Sequence, residues 1–293
     1  MFEGFRAFDL PGEGATIHGV AGGAGPPLLL LHGNPQTHAM WHKIAPRLAE
    51  RFSVVAADLR GYGRSSKPPS DADHVPYSKR AMARDMVAVM ERLGHEDFMI
   101  GAHDRGARVA HRLALDWPQR AQRIALLDIA PTREMYRHTG EAFAKAYWHW
   151  FFMIQKAPLP EQMMAADPEA FWRWRCGSGA AGLTPFSEEA LADYLAAFRD
   201  PATIHATCED YRAAAGIDIR HDEEDGGRKV ACPVLALWGA EGAVGQCFDV
   251  LDLWRQRAED LRGGPLPGGH YLAEECPDAV CDAFLEFFSE QSS

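Results

Sequence analysis

The chain is short of positive charge. Its 293 residues hold 30 Lys and Arg against 41 Asp and Glu, a net charge of −11. That balance argues against a general affinity for nucleic acid or for an anionic membrane surface. It also means that an anionic ligand must find its positive charge locally. Residues 1–9 lack a basic segment and an apolar one, so no secretory signal is expected. No uncharged apolar run approaches membrane-spanning length. The six cysteines, Cys176, Cys208, Cys232, Cys247, Cys276 and Cys281, show no CxxC pair and no metal-ligand spacing with His. Reduced, mostly buried thiols, a cytoplasmic location and no metal are the expectation. What is present is a chain 47% hydrophobic and 24% charged, able to bury a large core.

The apolar runs are short and regularly spaced. Strands are expected at 17–20, 28–32, 53–58, 97–101, 123–128 and 233–238. The run Leu28-Leu-Leu-Leu-His32 is apolar throughout, as in a strand buried on both faces of a parallel sheet. Helices are expected at 41–48, 78–93, 109–117, 249–260 and 277–287. The loop Leu59-Arg-Gly-Tyr-Gly-Arg-Ser-Ser66 lacks both the lysine-containing P-loop pattern and GxGxxG, so it reads as a structural turn. Alternation of strand and helix predicts an open α/β sheet, mostly parallel and flanked by helices. From 132 to 226 no strand-like run occurs, and aromatics crowd helical segments around Tyr147–Phe152 and Phe171–Trp174. The expected organisation is a core over 1–131 and 227–293, with an inserted helical cap over 132–226.

One stretch carries chemistry. Ile100-Gly-Ala-His-Asp104-Arg-Gly-Ala-Arg108 joins a strand to a helix, with small residues around Asp104. It has the form of a nucleophile elbow, with Asp where an esterase carries Ser. An aspartate there can attack carbon and form an ester on the enzyme. The plain reading is that Asp104 caps the following helix. Arg105 and Arg108, three apart, share a helix face. Two guanidinium groups beside a carboxylate suit an anionic substrate, held by forked hydrogen bonds. The alternative is an ion pair with Glu209, Asp210 or Asp104 itself. Near the end, Gly268-Gly-His270 offers a general base on a glycine turn.

Together these motifs resemble the α/β-hydrolase fold, and more closely the fluoroacetate dehalogenases. The resemblance spans nearly the whole chain. It rests on His32-Gly with Pro35-Gln36-Thr37-His38, Gly61-Tyr-Gly63, His103-Asp-Arg-Gly-Ala-Arg108, Leu127-Asp-Ile-Ala-Pro131, His149-Trp150, Cys208-Glu-Asp-Tyr-Arg212 and Gly269-His270. It implies hydrolysis of short 2-haloacids without cofactor or metal. Asp104 would be the nucleophile, His270 the base, and Asp128 the acid that orients it, with Glu241 the second choice. Arg105 and Arg108 would hold the substrate carboxylate. His149, Trp150 and Tyr211 would bind halide, and the backbone N–H groups of Asn34 and Arg105 would hold the oxyanion. A homodimer is implied as well. Two positions depart from the pattern. Asn34, as in haloalkane dehalogenases, stands where relatives carry an aromatic residue, and it leaves the halide order open, with fluoroacetate the leading substrate the resemblance implies. Arg64 stands where relatives carry Trp.

Two other functions use the same framework. An epoxide hydrolase would employ Asp104, Asp128 and His270, plus two cap tyrosines to protonate the epoxide oxygen. Tyr211 would be one, and Tyr136, Tyr147 or Tyr194 the other. A non-catalytic ligand receptor on this fold is the reading from a different class.

Overall fold

The computed structural model describes residues 1–290 of the chain. The apolar runs lie side by side in one sheet. Its strands are β1 Arg6–Pro11, β2 Thr16–Gly22, β3 Pro27–Leu31, β4 Ser53–Ala57, β5 Phe98–His103, β6 Ala121–Leu127, β7 Val234–Gly239 and β8 Leu261–Leu266. Their order across the sheet is β1-β2-β4-β3-β5-β6-β7-β8. The pairings β1–β2 and β2–β4 are antiparallel, and the rest are parallel. Leu28, Leu29, Leu30 and Leu31 of β3 are fully buried, because helices cover both faces of the parallel part. The α/β architecture with a mostly parallel sheet, expected from the strand–helix alternation, is the one observed.

Four details differ from expectation. Strands β1 and β8 were not read from the sequence. Both are edge strands with largely exposed residues, and β8 holds Gly263, Gly264 and Pro265, which disguise a strand. The helix expected at 41–48 is split into a 3-10 turn His38–Trp41 and a short helix Ala45–Leu48. Pro46 has no N–H to give to the turn before it. The helix expected at 249–260 is only Val250–Arg255. The following residues leave it to bridge Val230 through Ala258 and to accept the Val234 amide at Asp260.

Between β6 and β7 the described elements are all helices, from Thr132–Arg137 to Ile217–Glu224. Three of them face the elbow: Trp148–Met153, Pro168–Cys176 and Pro201–Ala215. Their aromatic residues make this layer's own core. Trp150 and Trp172 are fully buried, and Trp172 stacks on Tyr194 with ring centroids 5.6 Å apart. The layer is pinned to the sheet domain by polar bonds. The Trp172 indole N–H donates to the Pro35 carbonyl at 3.1 Å.

Candidate active site

Asp104 stands at the end of β5, on a backbone with φ of 44°. An L-residue with a side chain rarely adopts that conformation, and its presence marks a position held by its surroundings. The close approach is visible at two glycines. A Cβ on Gly106 would lie 2.5 Å from the His32 carbonyl, and one on Gly33 would lie 2.5 Å from the Asp104 Cβ. The helix Asp104–Asp116 is therefore drawn against the turn after β3, where the Gly106 amide donates to the His32 carbonyl at 2.9 Å. Asp104 does not cap this helix. The N-cap is His103, without a side-chain bond, and one Asp104 oxygen accepts the Asn34 amide at 3.1 Å. Burial by itself would push the Asp104 carboxyl up. The charges of His270, then Arg105, His103 and Arg108, outweigh that and hold it below the ordinary carboxylate range.

His270 and Asp128 meet next to it. The His270 Nδ1–H and an Asp128 oxygen are 2.6 Å apart, and the other Asp128 oxygen accepts the Gly239 amide at 3.0 Å. Asp128 also has a positive φ, 51°. Burial lowers the His270 pKa, but the hydrogen bond and charge of Asp128, with help from Asp104, raise it above the usual histidine value. Glu241, the second choice for the orienting acid, lies exposed at the cavity wall instead. The loop bearing His270 is clamped from both sides by one carboxylate. Glu275 accepts the Gly269 amide at 2.7 Å and the Tyr271 amide at 2.8 Å. His103 completes the frame by donating its Nε2–H to the His270 carbonyl at 2.8 Å. Burial, then the His270 charge, drive its pKa down to about 3, so this ring is neutral.

The two elbow arginines have different fates. Arg105 forms the ion pair weighed as an alternative. Its Nε and Nη2 donate to the two Asp210 carboxylate oxygens at 2.8 and 2.9 Å, and Nη2 also reaches the Asp210 carbonyl at 3.0 Å. Lys79 and the Tyr62 hydroxyl share that carboxylate. Only the Arg105 Nη1 is left, buried without an acceptor. Arg108 has neutral partners alone: the Ala130 carbonyl at 3.1 Å, the Thr132 hydroxyl at 2.9 Å and the Met135 sulfur at 3.3 Å. Its Nε is likewise buried and unpaired. Burial, then the charge of Arg105, lower its pKa. Glu209, another candidate partner, goes to Arg212 and His74 instead.

The residues proposed for halide lie against these guanidinium groups. Arg105 sits 4.2 Å over the Tyr211 ring, and Arg108 sits 4.8 Å over Trp150. The Trp150 and Tyr211 ring centroids are 6.3 Å apart, and those of His149 and Tyr211 are 6.0 Å apart. The Trp150 indole N–H is buried without an acceptor. His149 is driven well below the usual histidine pKa by burial, then by the charge of Arg175, so it is a neutral donor or acceptor. The Tyr211 hydroxyl approaches the Asn34 side-chain oxygen at 3.4 Å, leaving the Asn34 Nδ2 buried and unpaired. Of the other cap tyrosines, Tyr147 lines the cavity and Tyr136 packs on Trp150 at 5.0 Å. Tyr194 is committed elsewhere, donating to Glu274 at 2.6 Å. The Arg64 departure does not reach the site. Its side chain is 70% exposed.

Asp104, Tyr147, His149, His270 and Tyr271 help to line a cavity of about 290 Å³, and Arg105, Arg108, Trp150 and Tyr211 stand behind its wall. Its wall also holds Arg175, which the sequence did not single out. Possible metal-binding groups among the described residues lie elsewhere, at His18, His38 and Asp58 and at Glu161, His205 and Glu209. Both sets are already paired internally or with Arg212.

A strained acidic elbow, an Asp–His pair beside it and a helical layer above define a class. The chain belongs to the α/β-hydrolase fold family, whose pattern matches residues 26–277. Within that family it is 45% identical to the fluoroacetate dehalogenase of a Burkholderia species, over all of this chain and 97% of that one. It is 33% identical to the soluble epoxide hydrolase of Corynebacterium sp. strain C12, over 94% and 95%. The structure of ALR0039 from Nostoc sp PCC 7120 superposes with a TM-score of 0.98 at 54% identity, covering 99% and 100%.

Proposed function

We propose that this protein hydrolyses the carbon–halogen bond of short 2-haloacids, with haloacetate the simplest. The observation that carries the reading is Arg108. It is a buried guanidinium with only neutral acceptors, on the helix that begins at the nucleophile. The Asp104 charge favours this cation while Arg105 opposes it, and a carboxylate substrate would add the hydrogen-bonded anion that a buried guanidinium calls for. The unpaired Nε of Arg108 and Nη1 of Arg105 are the donors for it. Asp104 then displaces halide from the adjacent carbon, forming an ester. Trp150, His149, Tyr211 and the Asn34 side-chain amide surround the leaving ion. Water, deprotonated by His270, attacks the carbonyl carbon of that ester. Asp128 supports the imidazolium, and the amides of Asn34 and Arg105 hold the oxyanion. Release of the 2-hydroxyacid restores Asp104.

The epoxide reading has one observation in its favour, the buried Tyr147 and Tyr211 hydroxyls around the same nucleophile. A neutral epoxide, however, brings no anion to the unpaired Nε of Arg108. The test is His270→Asn incubated with chloroacetate or fluoroacetate. Attack needs no proton transfer, so one halide should be released per site. The protein should then gain the mass of a carboxymethyl group on the peptide containing Asp104. A folded variant that binds haloacetate without forming this adduct would overturn the mechanism. Diol formation from a styrene-oxide-type epoxide, without halide release from haloacids, would favour the second reading.

A further inference from the structure

Helix Pro168–Cys176 brings to the cavity a cation that the reaction as described does not use. Arg175 is 9% exposed and is the single Lys or Arg among the described residues lining the cavity. Its Nη1 donates weakly to the Asn34 carbonyl at 3.3 Å, and its Nε is buried without an acceptor. None of the ion pairs among the described residues includes it. Arg105 and Arg108 lie behind the cavity wall rather than on it. The acids of the wall form no ion pair with Arg175, although the Asp104 charge favours its cation. Asp104 is bonded to the Asn34 amide, Glu275 is spent on two loop amides, and Glu241 is exposed.

The cavity shared by Asp104 and Arg175 is larger than a two-carbon acid fills. A water takes about 30 Å³ in the liquid, so a cavity of about 290 Å³ has several times the room of haloacetate. The wall there is built from small residues: Ser178, Gly179, Ala180, Ala181 and Gly182, with Ala146 and Ala243. With the carboxylate on Arg105 and Arg108 and the α-carbon at Asp104, an α-substituent has this open side left to occupy.

We propose that Arg175 forms a second anion subsite, and that the preferred substrates are 2-halogenated dicarboxylates of about the length of halosuccinate. This rests on the haloacid reading above. One carboxylate sits on the elbow arginines and the other on Arg175. The chemistry is unchanged. An Asp104 oxygen bonds to C2, and the C–halogen electron pair leaves with the halide. Water adds its oxygen to the Asp104 carbonyl carbon and gives its proton to His270. The alkoxide leaving the ester is protonated to the 2-hydroxy dicarboxylate, and the net products are that acid, halide and one proton.

The test compares kcat/KM for 2-chlorosuccinate, 2-chlorobutyrate and chloroacetate in the wild type, Arg175→Met and Arg175→Lys. The wild type should favour 2-chlorosuccinate over 2-chlorobutyrate by at least about tenfold, the scale of one charged hydrogen bond. Arg175→Met should erase that preference, and Arg175→Lys should keep part of it. Should the variants misfold, inhibition of the wild type decides: succinate should bind at least about tenfold more tightly than butyrate. Overturning results are equal use of the two chlorinated acids by the wild type, or an equal loss for all substrates in Arg175→Met. The latter would assign Arg175 to the shared carboxylate or to the Asn34 carbonyl. Turnover of chloroacetate without 2-chlorosuccinate removes this inference alone. No turnover of any haloacid and no adduct in His270→Asn removes the haloacid reading with it.

Discussion

The loop ends that carry Asp104, Asp128 and His270 differ from the ring of side chains around them. At the loop ends nearly all polar groups are met: Asp104 accepts the Asn34 amide, Asp128 accepts from Gly239 and His270, and the His270 loop donates two amides to Glu275 and accepts from His103, whose Nδ1 alone is left over. In the ring, donors are left over. Arg105 Nη1, Arg108 Nε, Arg175 Nε, Trp150 Nε1 and Asn34 Nδ2 are all buried N–H groups without acceptors. An unmet buried donor costs about 1–3 kcal/mol. Five of them share one need, an acceptor, and the proposed anionic substrate would meet it. The first region is finished before substrate arrives, while the second is finished by it.

The sharpest way to break this contrast is at the finished region. Asp104→Asn removes the nucleophile and should lower halide release by about 10⁴-fold or more, a loss typical of removing one member of such a catalytic set. Residual halide release near the wild-type rate would remove Asp104 from the chemistry. Asp128→Asn should leave attack intact and slow ester hydrolysis by about 10³-fold. It should also move the acidic limb of the hydrolysis profile. His270 works as a base when deprotonated, and against burial the hydrogen bond and charge of Asp128 raise its pKa. Loss of the Asp128 charge should lower that pKa and shift the limb downward. Single-turnover rates against pH would show it, and an unmoved limb would point to another acid.

At the unfinished region the effects should be smaller and should depend on substrate. Arg108→Leu removes one partner of a desolvated charge pair and should cost about 2–5 kcal/mol in kcat/KM for haloacetate. Normal turnover would end the carboxylate assignment. Trp150→Phe keeps the ring and deletes one N–H. It should cost roughly 1–3 kcal/mol with fluoroacetate and less with bromoacetate, since fluoride depends most on donors as it leaves. Equal losses would mean that Trp150 only packs. Asn34→Phe deletes one unpaired donor and should shift the fluoride-to-chloride preference by the least, a few-fold, read from paired kcat/KM values.

The same contrast explains what was legible in the sequence. The elbow, the Asp after β6 and the Gly-His turn are local: each needs one strand end and its neighbours. Residues 132–226 offer no strand-like run, and the described elements between β6 and β7 are helices. Arg175 was not legible. It lies 71 positions beyond Asp104 on an aromatic helix, and nothing local tells an inward arginine from one in solvent. The Arg105–Asp210 pair spans 105 positions, and Asp210 was one of several acids equally placed by sequence. Strands β1 and β8 were missed because exposed edge strands carry little apolar pattern.

The charge on Asp104 is one of the causes that raise the His270 pKa. In the proposed reaction Asp104 would be alkylated to a neutral ester, and that support for the imidazolium would disappear. The histidine then turns more readily into the neutral base, at the step where a base is first required. On the proposed mechanism, Asp104 would thus act as a timing signal. While it is free it favours a protonated neighbour, which cannot activate water; once it is consumed, the brake on water activation is released.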